Sequence, residues 1–248
     1  MAHLNGDGHA LAYEHTPGAG PTTVFLPGFR SDMAGGKALA IESWCRVRGS
    51  ACLRLDYSGH GASGGAFTDG TIGQWTADAL RVIDTVTKGP LLLVGSSMGG
   101  WIALLVALAR PARTAAVLGI AAAPDFTETL MWDALMPAER ATLTRDGVLM
   151  APSQYGDPTP ITLALIEDGR RHLLLHAPIP LHCPVSLLHG QRDPDVPWET
   201  ALRIADRLES PDVQVTLVKD GDHRLSRPQD LVVLQNLHAA LLDTISAA

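Results

Sequence analysis

Cysteine is scarce: the 248 residues hold three, Cys45, Cys52 and Cys183, which cannot all pair and stand in no C-x-x-C spacing. Neither a disulfide framework nor a zinc ribbon is indicated, and a reducing environment fits. Charge is scarce too, at 18% of residues, and no block of Lys or Arg interrupts the net −7. That balance argues against nucleic acid or an anionic membrane surface as the main partner. No membrane span is expected either, because the apolar run from Trp101 to Ala109 is too short and is closed by Arg110 and Pro111. It reads as a buried helix. The opening residues, Met1 to Gly8, show neither the basic and apolar regions of a signal peptide nor an Arg-rich amphipathic leader, so a cytoplasmic location is the expectation.

What is abundant is apolar sequence, at 46%, enough for one large domain over residues 1–248 with a sizeable core. Turn residues Asn5 to Gly8 separate two short strand patterns, Ala2–Leu4 and His9–Glu14, and predict an opening hairpin. Further strands are expected at Thr22–Leu26, Ala51–Leu55, Leu91–Val94, Ala115–Ile120, Val185–Leu188 and Val213–Val218. Helical spacing fills the intervals at Ala34–Arg48, Thr71–Thr87, Trp198–Leu208 and Gln229–Ile245. Alternating strands and helices predict an α/β fold with an eight-stranded, mostly parallel sheet flanked by helices. Residues 124–184 break that rhythm. Helical pieces at Glu128–Leu135, Ala138–Arg145 and Ile161–Leu175, joined by Gly147–Pro160, predict a helical cap inserted between core segments 1–123 and 185–248.

The chemistry gathers at Gly95-Ser96-Ser97-Met98-Gly99, where an apolar strand meets a long helical stretch. G-x-S-x-G alone would occur by chance in on the order of one such sequence in ten, but the strand and helix around it make the pattern specific. A phosphate-binding turn is the competing interpretation. No Walker lysine and no G-x-G-x-x-G supports it. Ser97 is therefore the expected nucleophile, and a serine hydroxyl needs a base and an acid to orient that base. In a strand–turn–helix site of this kind the order along the chain is Ser, acid, His.

His223, in the loop after Val213–Val218, is the expected base, while Asp193 and Asp195 compete as the acid in the turn after Val185–Leu188. His60, in the glycine-dense loop Asp56 to Gly65, is the rival histidine but precedes Ser97. His172, His176, His182 and Cys183 superficially resemble a metal set; their placement on a Leu-rich helical pattern reads as cap surface, and no metal is expected. Two backbone donors for an oxyanion should come from Met98, at the helix start, and Phe29, in the loop after Thr22–Leu26. Arg30 beside them, and Trp132 and Met136 on the insert, are candidate substrate contacts.

Leu26-Pro27-Gly28-Phe29, Asp56-Tyr57-Ser58-Gly59-His60-Gly61, Gly95 to Trp101, Leu188 to Asp193 and Asp222-His223-Arg224 together resemble the serine α/β-hydrolases over nearly the whole chain. Thr71 to Trp75, His176 to Pro180 and Val196-Pro197-Trp198 narrow the similarity to the palmitoyl-protein thioesterase and acyl-glucuronide esterase group. The resemblance implies Ser97 as nucleophile, Asp193 rather than Asp195 as acid, and His223 as base. It also implies no cofactor and a small acyl ester or thioester substrate, which could include an S-acylated protein. A general carboxylesterase or lipase, and a ligand-binding relative with a silent triad, are the alternatives.

Overall fold

The computed structural model describes residues 1–5, 8–152 and 157–247. Its main sheet has eight strands: β1 (Ala2–Leu4), β2 (Leu11–Thr16), β3 (Ala19–Leu26), β4 (Ser50–Leu55), β5 (Leu91–Ser96), β6 (Thr114–Ile120), and two that follow the insert. Within the insert lie β7 (Val148–Ala151) and β8 (Thr159–Thr162), which pair with each other; β9 (Val185–Gly190) and β10 (Val213–Val218) complete the main sheet. The order across that sheet is β1-β2-β4-β3-β5-β6-β9-β10. Only β1 and β2 run antiparallel to their neighbours. The expected turn at Asn5 to Gly8 falls partly on residues 6 and 7, outside the described residues.

Helices α1 (Gly36–Val47), α2 (Ile72–Val86), α3 (Met98–Ala109), α6 (Glu199–Arg207) and α7 (Pro228–Ala247) cover the sheet, with α4 (Pro137–Asp146) and α5 (Leu163–Arg170) in the insert. Strand residues alternate between the two faces, as period two requires. Val24, Leu26, Leu91 and Leu93 pack with α2 and α3 residues such as Trp75 and Trp101. Phe25, Leu92 and Val94 pack on the opposite side against Ile41 of α1 and Leu234 of α7. Thr71 caps α2, its Oγ1 accepting the Gln74 N–H at 3.2 Å.

This order also fixes where a site can form. From β3 the chain crosses to β4 on one side, then returns to β5 on the other, so the loops leaving β3 and β5 diverge at a topological switch point. Those loops carry Phe29 and Ser97.

The insert differs in detail from its sequence pattern. Glu128–Leu135 becomes a π-helical stretch, Thr127–Trp132, and the third helix is shortened to α5, because Ile161 belongs to β8. The joining segment Gly147–Pro160 contains β7 and the first residues of β8, with residues 153–156 outside the described part. Strands of four residues carry little periodic signal, and Pro160 argues against a central strand; here it sits in a two-stranded hairpin, where every strand is an edge. Among the described residues no helix is long and apolar enough to cross a membrane.

Candidate active site

Ser97 sits between β5 and α3 at φ 55, ψ −122, a region that side chains rarely adopt. Two flanking glycines allow that turn: a Cβ on Gly95 would lie 2.2 Å from the Gly99 carbonyl oxygen, and one on Gly99 would lie 2.0 Å from that of Leu26. The turn is locked to the neighbouring strand, since the Ser97 N–H donates to Ile120 O at 2.9 Å and Ala123 N–H donates to Ser97 O at 3.1 Å.

The Ser97 hydroxyl stands 3.1 Å from His223 Nε2, and His223 Nδ1 stands 2.7 Å from Asp193 Oδ2. The expected Ser, Asp and His side chains thus form one continuous hydrogen-bonded chain, drawn from the ends of β5, β9 and β10. Such a chain can pass the serine proton to the imidazole while the carboxylate steadies the resulting cation.

Asp193 is more heavily supported than its sequence neighbourhood foretold. Its Oδ1 accepts the N–H groups of Asp195 and Val196, each at 2.8 Å, and its Oδ2 also meets His189 Nε2 at 3.1 Å. Burial alone would raise this carboxyl, but hydrogen bonds from His189 and His223, the charge of His223 and the Val196 amide outweigh burial and hold it well below the usual carboxylate range. Asp195 joins this turn through its backbone, and the hydrogen bond to His223 goes to Asp193.

Asp193, Asp195 and His223 are the one group of metal-ligating side chains gathered among the described residues, with ligand atoms within 4.8 Å of one another. Both Asp193 oxygens are already occupied by N–H donors, so the donor set suits proton transfer better than metal binding. His172 instead turns its Nδ1 toward Asp168 O at 2.9 Å.

Beside Ser97 runs the loop Pro27 to Ser31, where a Cβ on Gly28 would be 3.3 Å from that of Ser97. Phe29 and Arg30 follow directly, and Met98 opens α3, whose first amides lack intrahelical acceptors. Phe29 is thus the residue after one that approaches Ser97, and Met98 the residue after Ser97 itself. A cavity of about 710 Å³ opens there, and its lining includes the apolar Phe126, Leu130, Met131 and Ile161 and the charged Asp32, Lys37, Asp195 and Arg224.

Of the expected substrate contacts, Arg30 lines this cavity, but its Nη1 donates to Asp157 O at 3.0 Å and Thr159 Oγ1 at 2.6 Å. It ties the loop to the insert hairpin. Trp132 and Met136 are not among the residues lining this cavity. The π-helical stretch turns Leu130 and Met131 to the cavity, Trp132 stacks against the guanidinium groups of Arg140 and Arg170, and Met136 is 66% exposed ahead of α4.

His60 does not reach Ser97 by a hydrogen bond; its Nε2 faces the Arg30 N–H at 3.2 Å. Two further residues escaped the sequence reading. His189 lies within a strand pattern, where its i, i+4 relation to Asp193 is the available signal. Lys37, whose Nζ donates to Arg224 O beside His223, carried none. Burial and then Arg224 lower the Lys37 pKa to about 8, against the opposing pull of Asp222, Asp193 and Asp230.

Fold and sequence together place the chain in the α/β-hydrolase family, whose model matches residues 23–234, and it is a hydrolase. It is 42% identical over 238 residues to the human protein named palmitoyl-protein thioesterase ABHD10, mitochondrial, covering 95% of this chain and 78% of that relative. The mouse structure of alpha/beta hydrolase domain-containing protein 10 superposes with a TM-score of 0.91 at 40% identity, covering 98% of each chain. A putative hydrolase from Agrobacterium vitis does so with a TM-score of 0.92 at 43% identity, covering 96% of this chain and 95% of its own. The curated relatives are named mitochondrial, and the expectation of a cytoplasmic location is corrected accordingly.

Proposed function

We propose that the protein cleaves acyl thioesters or activated carboxylic esters through an acyl-enzyme on Ser97. One observation carries this: Ser97 Oγ, His223 Nε2, His223 Nδ1 and Asp193 Oδ2 lie in sequence at 3.1 and 2.7 Å on three different strand ends. His223 with its proton on Nδ1 leaves Nε2 free to take the serine proton as Oγ attacks the acyl carbonyl. Asp193 fixes that tautomer. The amides of Phe29 and Met98 receive the oxyanion, and His223 returns the proton to the departing thiol or alcohol. Water then repeats the attack on the acyl-serine.

The name of the curated relatives, palmitoyl-protein thioesterase, supports an acyl thioester as substrate and an S-acylated protein as one possible source of it. The apolar lining residues Leu130, Met131 and Ile161 suit an acyl chain, with the insert 124–184 serving as the cap. The charged lining residues, Lys37 and Arg224 among them, suit a polar leaving group.

The test is a panel of matched p-nitrophenyl esters and acyl thioesters of increasing chain length, with a fluorophosphonate probe to titrate Ser97. Labelling at Ser97 and preference for the thioester series are expected. Preference for oxygen esters would recast the protein as a carboxylesterase, and an unlabelled Ser97 would leave a binding module.

A further inference from the structure

His60 is buried in an aromatic box, with the rings of Tyr57, Phe67 and Trp75 at 5.6, 5.1 and 5.0 Å. Its two ring nitrogens have partners of opposite kind. Ser58 O, 3.2 Å from Nδ1, can only accept; the Arg30 N–H, 3.2 Å from Nε2, can only donate. Both contacts demand the same neutral tautomer, protonated on Nδ1 and bare on Nε2. Burial lowers the His60 pKa, against the Ser58 carbonyl and the more distant Asp78 and Asp32, which keeps the ring neutral.

The N–H that His60 receives belongs to the Phe29–Arg30 peptide, immediately after the amide assigned to the oxyanion. Arg30 holds φ 57, a left-handed conformation costly for a residue with a side chain. The loop is pinned at successive points: Tyr57 Oη donates to Pro27 O at 3.2 Å and Ser31 N–H donates to Gly28 O at 3.0 Å. The Phe29 ring packs edge-on to Phe67 and Trp75, the same rings that wall His60. One aromatic cluster therefore holds both the histidine and the loop it braces.

We propose that His60 is a positioning residue for oxyanion stabilisation: its unprotonated Nε2 accepts the Arg30 N–H and sets the peptide planes that aim the Phe29 amide at the reacting carbonyl oxygen. The inference rests on the assignment of Phe29 as an oxyanion donor to a Ser97 acyl-enzyme. An oxyanion donor acts on the transition state far more than on bound substrate, so the expected signature is in kcat.

The experiment compares His60→Leu and His60→Gln with wild type and Ser97→Ala on p-nitrophenyl butyrate. A Gln side chain offers a carbonyl oxygen near the position of Nε2, while Leu offers no acceptor. His60→Leu should lower kcat by about tenfold or more with KM within about twofold, and His60→Gln should return to within a few-fold of wild type, since losing one oxyanion donor outright costs about 10²–10³. Equal losses in both variants, or unchanged kcat in His60→Leu, would overturn the inference. If His60→Leu does not fold, ring ¹⁵N shifts of wild-type His60 decide: protonation on Nδ1 supports the inference, and protonation on Nε2 overturns it. Full turnover by Ser97→Ala would instead defeat the acyl-enzyme assignment itself, whatever His60 does.

Discussion

His189 Nε2 and Asp193 Oδ2 lie 3.1 Å apart, with both side chains wholly buried. The same oxygen faces His223 Nδ1, so the carboxylate is held between two histidines, one from β9 and one from the loop after β10. A serine site built this way depends on the residue that directly follows the last apolar pair of its strand, Leu187 and Leu188.

Replacing His189 should therefore reach the chemistry indirectly. His189→Leu should lower kcat by about tenfold and reduce thermal stability, because a buried acceptor loses one donor, at about 1–3 kcal/mol. His189→Gln, whose amide can donate, should recover part of both. Asp193 lies below its unfolded value, near 3.9, so its stabilising contribution is present above that pH and is lost as pH falls toward the folded value. Without His189 the folded value rises toward the unfolded one, so this contribution should shrink and be exhausted at higher pH, as acid unfolding followed by circular dichroism would register.

Asp193 and Asp195 give a sharper pair. Asp193→Asn should lower kcat by on the order of a thousandfold or more, since an amide no longer selects the His223 tautomer. Asp195→Asn, which keeps the backbone N–H donated to Asp193 Oδ1, should cost less than about tenfold. Steady-state kinetics that ranked the two the other way would move the acid to Asp195.

Lys37 should report in the alkaline limb. Its ammonium donates to the carbonyl of Arg224, next to His223, and its pKa is lowered to about 8. As pH rises through that value the charge-assisted bond weakens, so wild-type kcat should show a few-fold decline that Lys37→Met lacks, the variant holding one reduced level throughout. A shared pH profile would separate Lys37 from the His223 loop.

On the insert, Met131 and Trp132 should part company. Met131→Ala, at the cavity wall, should change the kcat/KM ratio of long to short acyl chains by a few-fold, as apolar contacts worth about 1–3 kcal/mol do. Trp132→Ala should leave that ratio alone and lower the melting temperature, because it removes the face on which Arg140 and Arg170 stack.

How much of this was legible in the chain follows from period and distance. The main sheet could be read because each buried strand is a short apolar run between turn signals, and Thr71 announced α2 through its side chain. Ser97 was visible because Gly95 and Gly99 are forced by close backbone approach. The insert was misread where four-residue strands carry no periodicity and where a π-helical stretch took the place of an expected α-helix. Lys37 and His60 make contacts spanning 187 and 30 residues, which no local pattern encodes.

The most direct measurement is rapid-quench intact-protein mass spectrometry during turnover of an octanoyl thioester, followed by peptide mapping. An octanoyl adduct on Ser97, formed with a burst of one equivalent of thiol and absent from Ser97→Ala, is the predicted result. Undiminished turnover by Ser97→Ala, or an adduct on another residue, would contradict the acyl-enzyme account.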